Sequence, residues 1–183
     1  MENTAPTTRW CFLDRDGVLV KDTGYVYKIE DLEILPNVVE GLLALAEIGF
    51  KFIVITNQAG IAKGYYKHED AHSFNKELHA RLAESGILIH AVYMCPHHPK
   101  HTGECSCRKP NTGMLDQAAH DLGVTPERAI LVGDKDSDIE TGKKWGCKTF
   151  RIINEQYPEI VVADYRARDL HEVARIATKN ARM

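Results

Sequence analysis

Short apolar runs alternate with stretches of helical periodicity along this chain. Trp10-Cys11-Phe12-Leu13, Phe50 to Ile55, Ile87 to Met94, Ala129 to Val132 and Lys148 to Ile153 are compact apolar segments, several of them rich in Ile and Val. That is the pattern of strands covered on both faces. Between them the period changes. Val38, Leu42, Leu45 and Ala46 form one apolar stripe, as do Ala71, Phe74, Leu78 and Leu82, and then Met114, Ala118 and Leu122. These predict helices after Pro36 and ending at Gly49, over about 68–85, and over about 113–122, with Gly closing the first two. A shorter helix is expected from about Ser137 to Trp145, and Thr125-Pro126-Glu127 reads as a capped single turn. Leu170, Val173, Ala174 and Ala177 suggest a last helix over about 169–178. Strands alternating with helices imply an α/β fold, a Rossmann-like parallel sheet with helices on both faces.

The bulk numbers narrow the class. At 183 residues, 44% hydrophobic and 27% charged, the chain suits a single domain over 1–183, with its core at about 9–153. A net charge of −3 with scattered Lys and Arg argues against a nucleic-acid partner. No run approaches the roughly 18 apolar residues of a spanning helix, and Met1 to Thr8 is polar and unlike a secretory leader. The expectation is a cytoplasmic monomer, free of membrane, acting on a small molecule.

Polar residues cluster where the apolar runs end. Asp14-Arg15-Asp16-Gly17 follows the first run, Thr56-Asn57-Gln58 the second and Asp134 the fourth. Ligands of open parallel sheets bind beyond the carboxyl ends of the strands, so these residues are expected to converge. Two carboxylates brought together need a cation or a shared proton. A carboxylate nucleophile, a hydroxyl and a lysine are what phosphoryl transfer requires. Asp14 would attack phosphorus, and Mg²⁺ held by Asp14, the Asp16 carbonyl and Asp134 would neutralise the charges. Thr56 and Lys109 would hold the phosphoryl oxygens, leaving Asp16 as acid and base. Taken singly, Thr56 is an ordinary strand-end hydroxyl, Lys109 a surface lysine, and Asp134 and Asp138 helix caps. Their joint placement argues otherwise.

Phe12-Leu13-Asp14-Arg15-Asp16-Gly17-Val18-Leu19, Ile55-Thr56-Asn57-Gln58, Cys107-Arg108-Lys109-Pro110 and Val132-Gly133-Asp134-Lys135 resemble, in order, the four motifs of the haloacid dehalogenase superfamily of phosphatases. The resemblance runs from about residue 10 to 150. More narrowly, Asp22-Thr23-Gly24-Tyr25-Val26 and the Thr56 to Gly64 segment are similar to the heptose-bisphosphate 7-phosphatase family. The likeness implies Asp14 as nucleophile, Asp16 as acid/base, and Thr56 and Lys109 as phosphate stabilisers. It also implies a substrate surrounded by Arg15, Asp22, Thr23, Gly24, Tyr25, Asn57, Gln58, Ala59, Arg108 and Lys135. Val18-Leu19 departs from the Thr-containing pairs of many relatives, and Asp136 has no role in the motif, whereas Asp138 is expected behind the metal ligands. Histidinol phosphatases share the four motifs and a similar cysteine loop; DNA 3′-phosphatases share Thr-Asn-Gln, but the acidic balance counts against them. A receiver-like module would carry its aspartate after the third strand, and a zinc-dependent interaction module would leave Asp14 without a purpose.

Cys95-Pro96-His97 and Cys105-Ser106-Cys107 crowd three of the five cysteines into a short loop. Two sulfur or nitrogen ligands at each end of a loop suit a closed tetrahedral Zn²⁺ site, structural because no position is left for water. His98 and His101 compete with His97 for the imidazole position, and the family pattern favours His97. The zinc loop, 95–107, would then carry Arg108 and Lys109 toward the phosphate. Cys11 and Cys147 read as small core residues. With no long insertion between the elements, no separate cap domain is expected.

Overall fold

The computed structural model describes residues 8–180; the leaderless reading of the amino-terminal stretch therefore falls almost wholly outside the described residues. Six strands form one sheet: β1 (Arg9–Leu13), β2 (Phe50–Asn57), β3 (Ile89–Cys95), β4 (Ala129–Gly133), β5 (Lys148–Ile152) and β6 (Tyr165–Ala167). Their order is β3-β2-β1-β4-β5-β6, and every pairing is parallel. Parallel neighbours need crossovers, which α1 (Val38–Glu47), α2 (His68–Glu84), α3 (Pro99–Thr102), α4 (Gly113–Leu122) and α5 (Asp136–Trp145) help to supply; α6 (Leu170–Lys179) follows β6.

Alternation along the strands makes two apolar layers. Leu13, Val54, Val132 and Phe150 pack with Leu42 of α1, Phe74 of α2 and Val173 of α6. Their neighbours Phe12, Ile53, Ile55 and Leu131 face the other way, against Met114 and Leu115 of α4 and Trp145 of α5. Both faces are thus covered, and each fully buried Leu, Ile or Phe contributes roughly 1.5–3 kcal/mol.

The differences from expectation are local. β3 starts at Ile89 rather than Ile87, and α5 starts one residue early, at Asp136. The sheet does not end at β5: β6 adds a sixth strand, and α6 packs on α1, so the core runs past residue 153 to the last helix. β6 has three residues and alternates an arginine between Tyr165 and Ala167, too short to show a period. Between β1 and α1 the chain makes isolated bridges, Asp16 with Val20 and Val20 with Ile34, and a single 3₁₀ turn at Ile29–Asp31. No helix among the described residues is long and apolar enough to cross a membrane.

Candidate active site

The carboxyl ends of β1, β2 and β4, the three central strands, deliver Asp14, Thr56 and Asp134 to one place, all three buried. Carboxylate oxygens of Asp14, Asp134 and Asp138 lie within 4.8 Å of one another. Lys109 reaches into this cluster. Its Nζ donates to Asp14 Oδ1 at 2.8 Å and to the Ile55 carbonyl at 3.1 Å, and it pairs with Asp138 Oδ1 at 2.6 Å. Burial lowers the lysine's proton affinity, but Asp138 and Asp14 outweigh it and hold its pKa above the ordinary value.

One cation among three buried carboxylates leaves negative charge uncompensated. Burial first, and then the charge of Asp14, push Asp134 up to about 7. Its Oδ1 is buried without a hydrogen bond, 4.0 Å from Lys135 Nζ, while Oδ2 accepts from Asn154 Nδ2 at 2.8 Å. Gly17 makes the close approach possible: its φ is +90°, and a Cβ there would stand 2.2 Å from Asp134 Oδ2. Asp14 Oδ1 also accepts from the Arg15 amide at 2.8 Å, whereas its Oδ2 has no such partner.

Asp16 sits beside the cluster rather than in it. Both its oxygens are held by the Arg15 guanidinium, at 2.9 and 3.0 Å, and Oδ2 also accepts from Gln58 Nε2 at 2.9 Å. Burial raises its pKa, Arg15 opposes that, and Asp14 adds to it, leaving the carboxyl above the usual range. Gln58 Nε2 donates to Thr56 Oγ1 at 2.8 Å as well, which leaves the threonine proton free to point elsewhere. Asn57 clamps the backbone of Lys109, accepting from its N–H at 3.1 Å and donating to its carbonyl at 3.2 Å. A recess of about 40 Å³ is lined by Asp14, Asp16, Asn57, Lys109, Lys135, Ser137 and Asp138. A larger groove of about 380 Å³ shares Gly17, Asp22 and Asn154 with the neighbourhood of this site but holds no comparable cluster. The recess is where the buried charged side chains gather.

The cysteine loop closes on itself. Cys95, Cys105 and Cys107 have their sulfurs 3.0 to 3.6 Å apart, and His97 Nδ1 lies 3.3 Å from Cys107 and 3.7 Å from Cys95. Of the competing imidazoles, His98 instead caps α3, its Nδ1 accepting from the Lys100 amide at 3.2 Å. Arg108, at the end of the loop, donates to the His97 carbonyl at 3.2 Å.

Comparison with known proteins meets this geometry at the same motifs. Residues 106–171, which hold Lys109, Asp134 and Asp138, match a family model described as HAD-hydrolase-like. The chain is 38% identical over 152 residues to the D-glycero-alpha-D-manno-heptose-1,7-bisphosphate 7-phosphatase of Photorhabdus laumondii, covering 80% of this chain and 83% of that protein. It is 39% identical over 135 residues to the beta-anomer enzyme of Haemophilus influenzae, covering 72% and 73%. This chain belongs to the HAD-like hydrolases. A solved D,D-heptose 1,7-bisphosphate phosphatase from B. bronchiseptica, in complex with magnesium and phosphate, superimposes with a TM-score of 0.84 at 26% identity, covering 94% of this chain and 99% of that one.

Within this HAD-like hydrolase, the residues expected around a substrate fall into two groups. Lys135 lines the recess and its Nζ donates to Asp22 Oδ2 at 2.9 Å, while Thr23, Gly24 and Tyr25 are exposed in the same loop as Asp22 and Lys63 donates to the Tyr25 hydroxyl. The Arg15 side chain is turned inward. It is fully buried, with four of its donors spent on Asp16, Asn75 and the Val26 carbonyl and its guanidinium 4.5 Å over the Phe74 ring, so it orients Asp16. Gln58 is turned inward in the same way, accepting from the Tyr66 hydroxyl. Ala59 is buried beside it. Asp138 does more than expected, pairing with Lys109 and accepting from the Lys135 amide at 3.0 Å. Asp136 holds Arg151 and the amides of Ile160 and Val161, fastening the loop after β5. From that loop come two residues that the motifs do not contain, Asn154 and Tyr157, whose only sequence signal is that they follow a strand's carboxyl end.

Proposed function

We propose that this chain is a magnesium-dependent phosphatase that removes the 7-phosphate of D-glycero-D-manno-heptose 1,7-bisphosphate by way of a phosphoryl group carried on Asp14, as a step in making the ADP-heptose precursor. The observation that carries the reading is the buried set Asp14, Asp134, Asp138 and Lys109, in a chain that aligns over most of its length with enzymes of that name.

The unpartnered Asp134 Oδ1 and the hard oxygen donors of Asp14, Asp134 and the Asp16 carbonyl suit Mg²⁺, with Asp138 behind them. When bound there, the ion would neutralise the nucleophile and the incoming phosphate. The protein does the rest. Lys109 and the Arg15 amide fix Asp14 Oδ1, so Oδ2 faces the phosphorus; its attack forms the Asp14–phosphorus bond and breaks the bond to the sugar oxygen. Asp16, whose carboxyl is held above the usual carboxylate range by burial, gives a proton to the departing oxygen. It then takes one from water, which attacks phosphorus, releases inorganic phosphate and restores Asp14. Thr56 donates to the phosphoryl oxygens, the Lys109 ammonium, its three N–H groups held by Asp14, Asp138 and the Ile55 carbonyl, supplies positive charge beside them, and Asn57, Arg108 and Lys135 with the 22–25 and 57–59 segments frame the sugar.

Cys95, His97, Cys105 and Cys107 fit Zn²⁺: a tetrahedron with Zn–S bonds of about 2.3 Å has edges near 3.8 Å, only slightly longer than the 3.0 to 3.7 Å separations here. The metal would be structural, holding the loop that the Asn57 clamp ties to Lys109. The short bridged segment between β1 and α1 supports a capless single domain, and one chain supplies the whole site, as a monomer would. Phosphate release with Mg²⁺ should be fastest on one anomer of the heptose bisphosphate, and far slower on histidinol phosphate and on a 3′-phosphorylated oligonucleotide. Preference for either of the last two would overturn the substrate.

A further inference from the structure

Lys135 is held by a loop that lies outside the four motifs. Its ammonium donates to Asp22 Oδ2 at 2.9 Å, and the same oxygen accepts from the Tyr157 hydroxyl at 2.8 Å. The ammonium also lies 4.6 Å from the centroid of the Tyr157 ring. Tyr157 therefore touches Lys135 with its face and Lys135's carboxylate partner with its hydroxyl. Asp134 Oδ1, buried and without a hydrogen bond, lies 4.0 Å from the same ammonium, at the outer limit of an ion pair. A move of about 1 Å would bring the ammonium to ordinary ion-pair distance from that oxygen.

That short distance sets up a competition. A lone buried carboxylate oxygen attracts whichever cation reaches it, and an ammonium tethered one residue away in the chain has a large effective concentration. If Lys135 closed on Asp134, it would satisfy the oxygen and oppose a divalent ion there. Asp22 alone gives the ammonium one charged hydrogen bond; the Tyr157 ring adds a cation–π contact, and the hydroxyl fixes Asp22 in place.

We propose that Tyr157 is a positioning residue that keeps the Lys135 ammonium on Asp22 and off Asp134, so that Asp134 Oδ1 stays available to Mg²⁺. The inference rests on reading the carboxylate cluster as the magnesium site. Asn154 works alongside it from the same loop, turning Asp134 by its Oδ2 so that Oδ1 is the oxygen presented.

Isothermal titration of the full-length, zinc-loaded protein with MgCl₂ tests this without turnover. Tyr157→Leu should weaken Mg²⁺ binding by roughly three- to tenfold, the worth of one cation–π contact and one hydrogen bond. Tyr157→Phe keeps the ring and should lose less. The deciding arm is the Lys135→Met background, where Tyr157→Leu should leave the Mg²⁺ affinity unchanged because the competing cation is gone. An unchanged affinity in Tyr157→Leu, or an equal loss with and without Lys135, would overturn the positioning role while the magnesium site stands. Absence of saturable Mg²⁺ binding in the unaltered protein would overturn both.

Discussion

Replacing Lys109 by Met removes a charge while keeping most of the side-chain volume. The lysine is 3% exposed and its ammonium lies 2.8 Å from Asp14 Oδ1 and 2.6 Å from Asp138 Oδ1, so its loss leaves two buried carboxylates without their cation. Breaking a buried ion pair from one side costs about 3–5 kcal/mol. For a domain of this size each kcal/mol moves the thermal midpoint by about 2–4 °C, giving a fall of roughly 6–20 °C in magnesium-free buffer. The deficit should shrink toward pH 5. Asp134 and Asp138 already hold their protons more tightly in the folded state than in the unfolded one, and without Lys109 they would do so further. The native state then binds the extra protons, and acid recovers stability. Differential scanning calorimetry of the two proteins at pH 5 and pH 8 measures this. A midpoint within about 2 °C of the parent at pH 8 would refute the claim that the lysine compensates the buried anions.

Two further perturbations follow from the same geometry. Asp134 stands at about 7, above its unfolded value, so metal-free stability falls as pH rises from about 4 to 7; the rise in melting temperature on adding Mg²⁺ should therefore be larger at pH 8 than at pH 5, and equal rises would contradict a shared carboxylate site. Chelation should remove one zinc per chain, speed amide exchange over residues 95–110 and slow phosphate release, because the loop carries Lys109 onto the Asn57 clamp; unchanged exchange after zinc loss would show that the metal does not hold the loop.

Much of the fold and site is legible in the sequence. The central strands are apolar on both faces, so their ends are sharp in the sequence, and Asp14, Thr56 and Asp134 could be placed at one end of the sheet. Cys95, Cys105 and Cys107 likewise announced their cluster by spacing. Direction was harder to read than position. Arg15 lies between two site aspartates, and nothing in its neighbours shows that Phe74 and Asn75, some sixty residues on, take it into the core. Asn154 and Tyr157 occupy an irregular loop with no period, and what brings them to the site is the Asp136–Arg151 pair and the edge strand β6, three residues long. Tertiary contacts, not local pattern, decide such positions.

Asp14 is the proposed acceptor of the phosphoryl group, and every other role at the site follows from it. Asp14→Asn preserves shape and the oxygen that Lys109 and the Arg15 amide approach, so the variant should fold. Quench-flow on the heptose bisphosphate with Mg²⁺, followed by mass analysis of the peptide containing residue 14, tests it directly. The parent should show a transient phosphoryl group on Asp14, and the variant should show none, with turnover reduced by roughly 10⁴-fold or more, as for deletion of other nucleophiles. Turnover by Asp14→Asn at the parent rate, or a phosphoryl group trapped on any other residue, would contradict it.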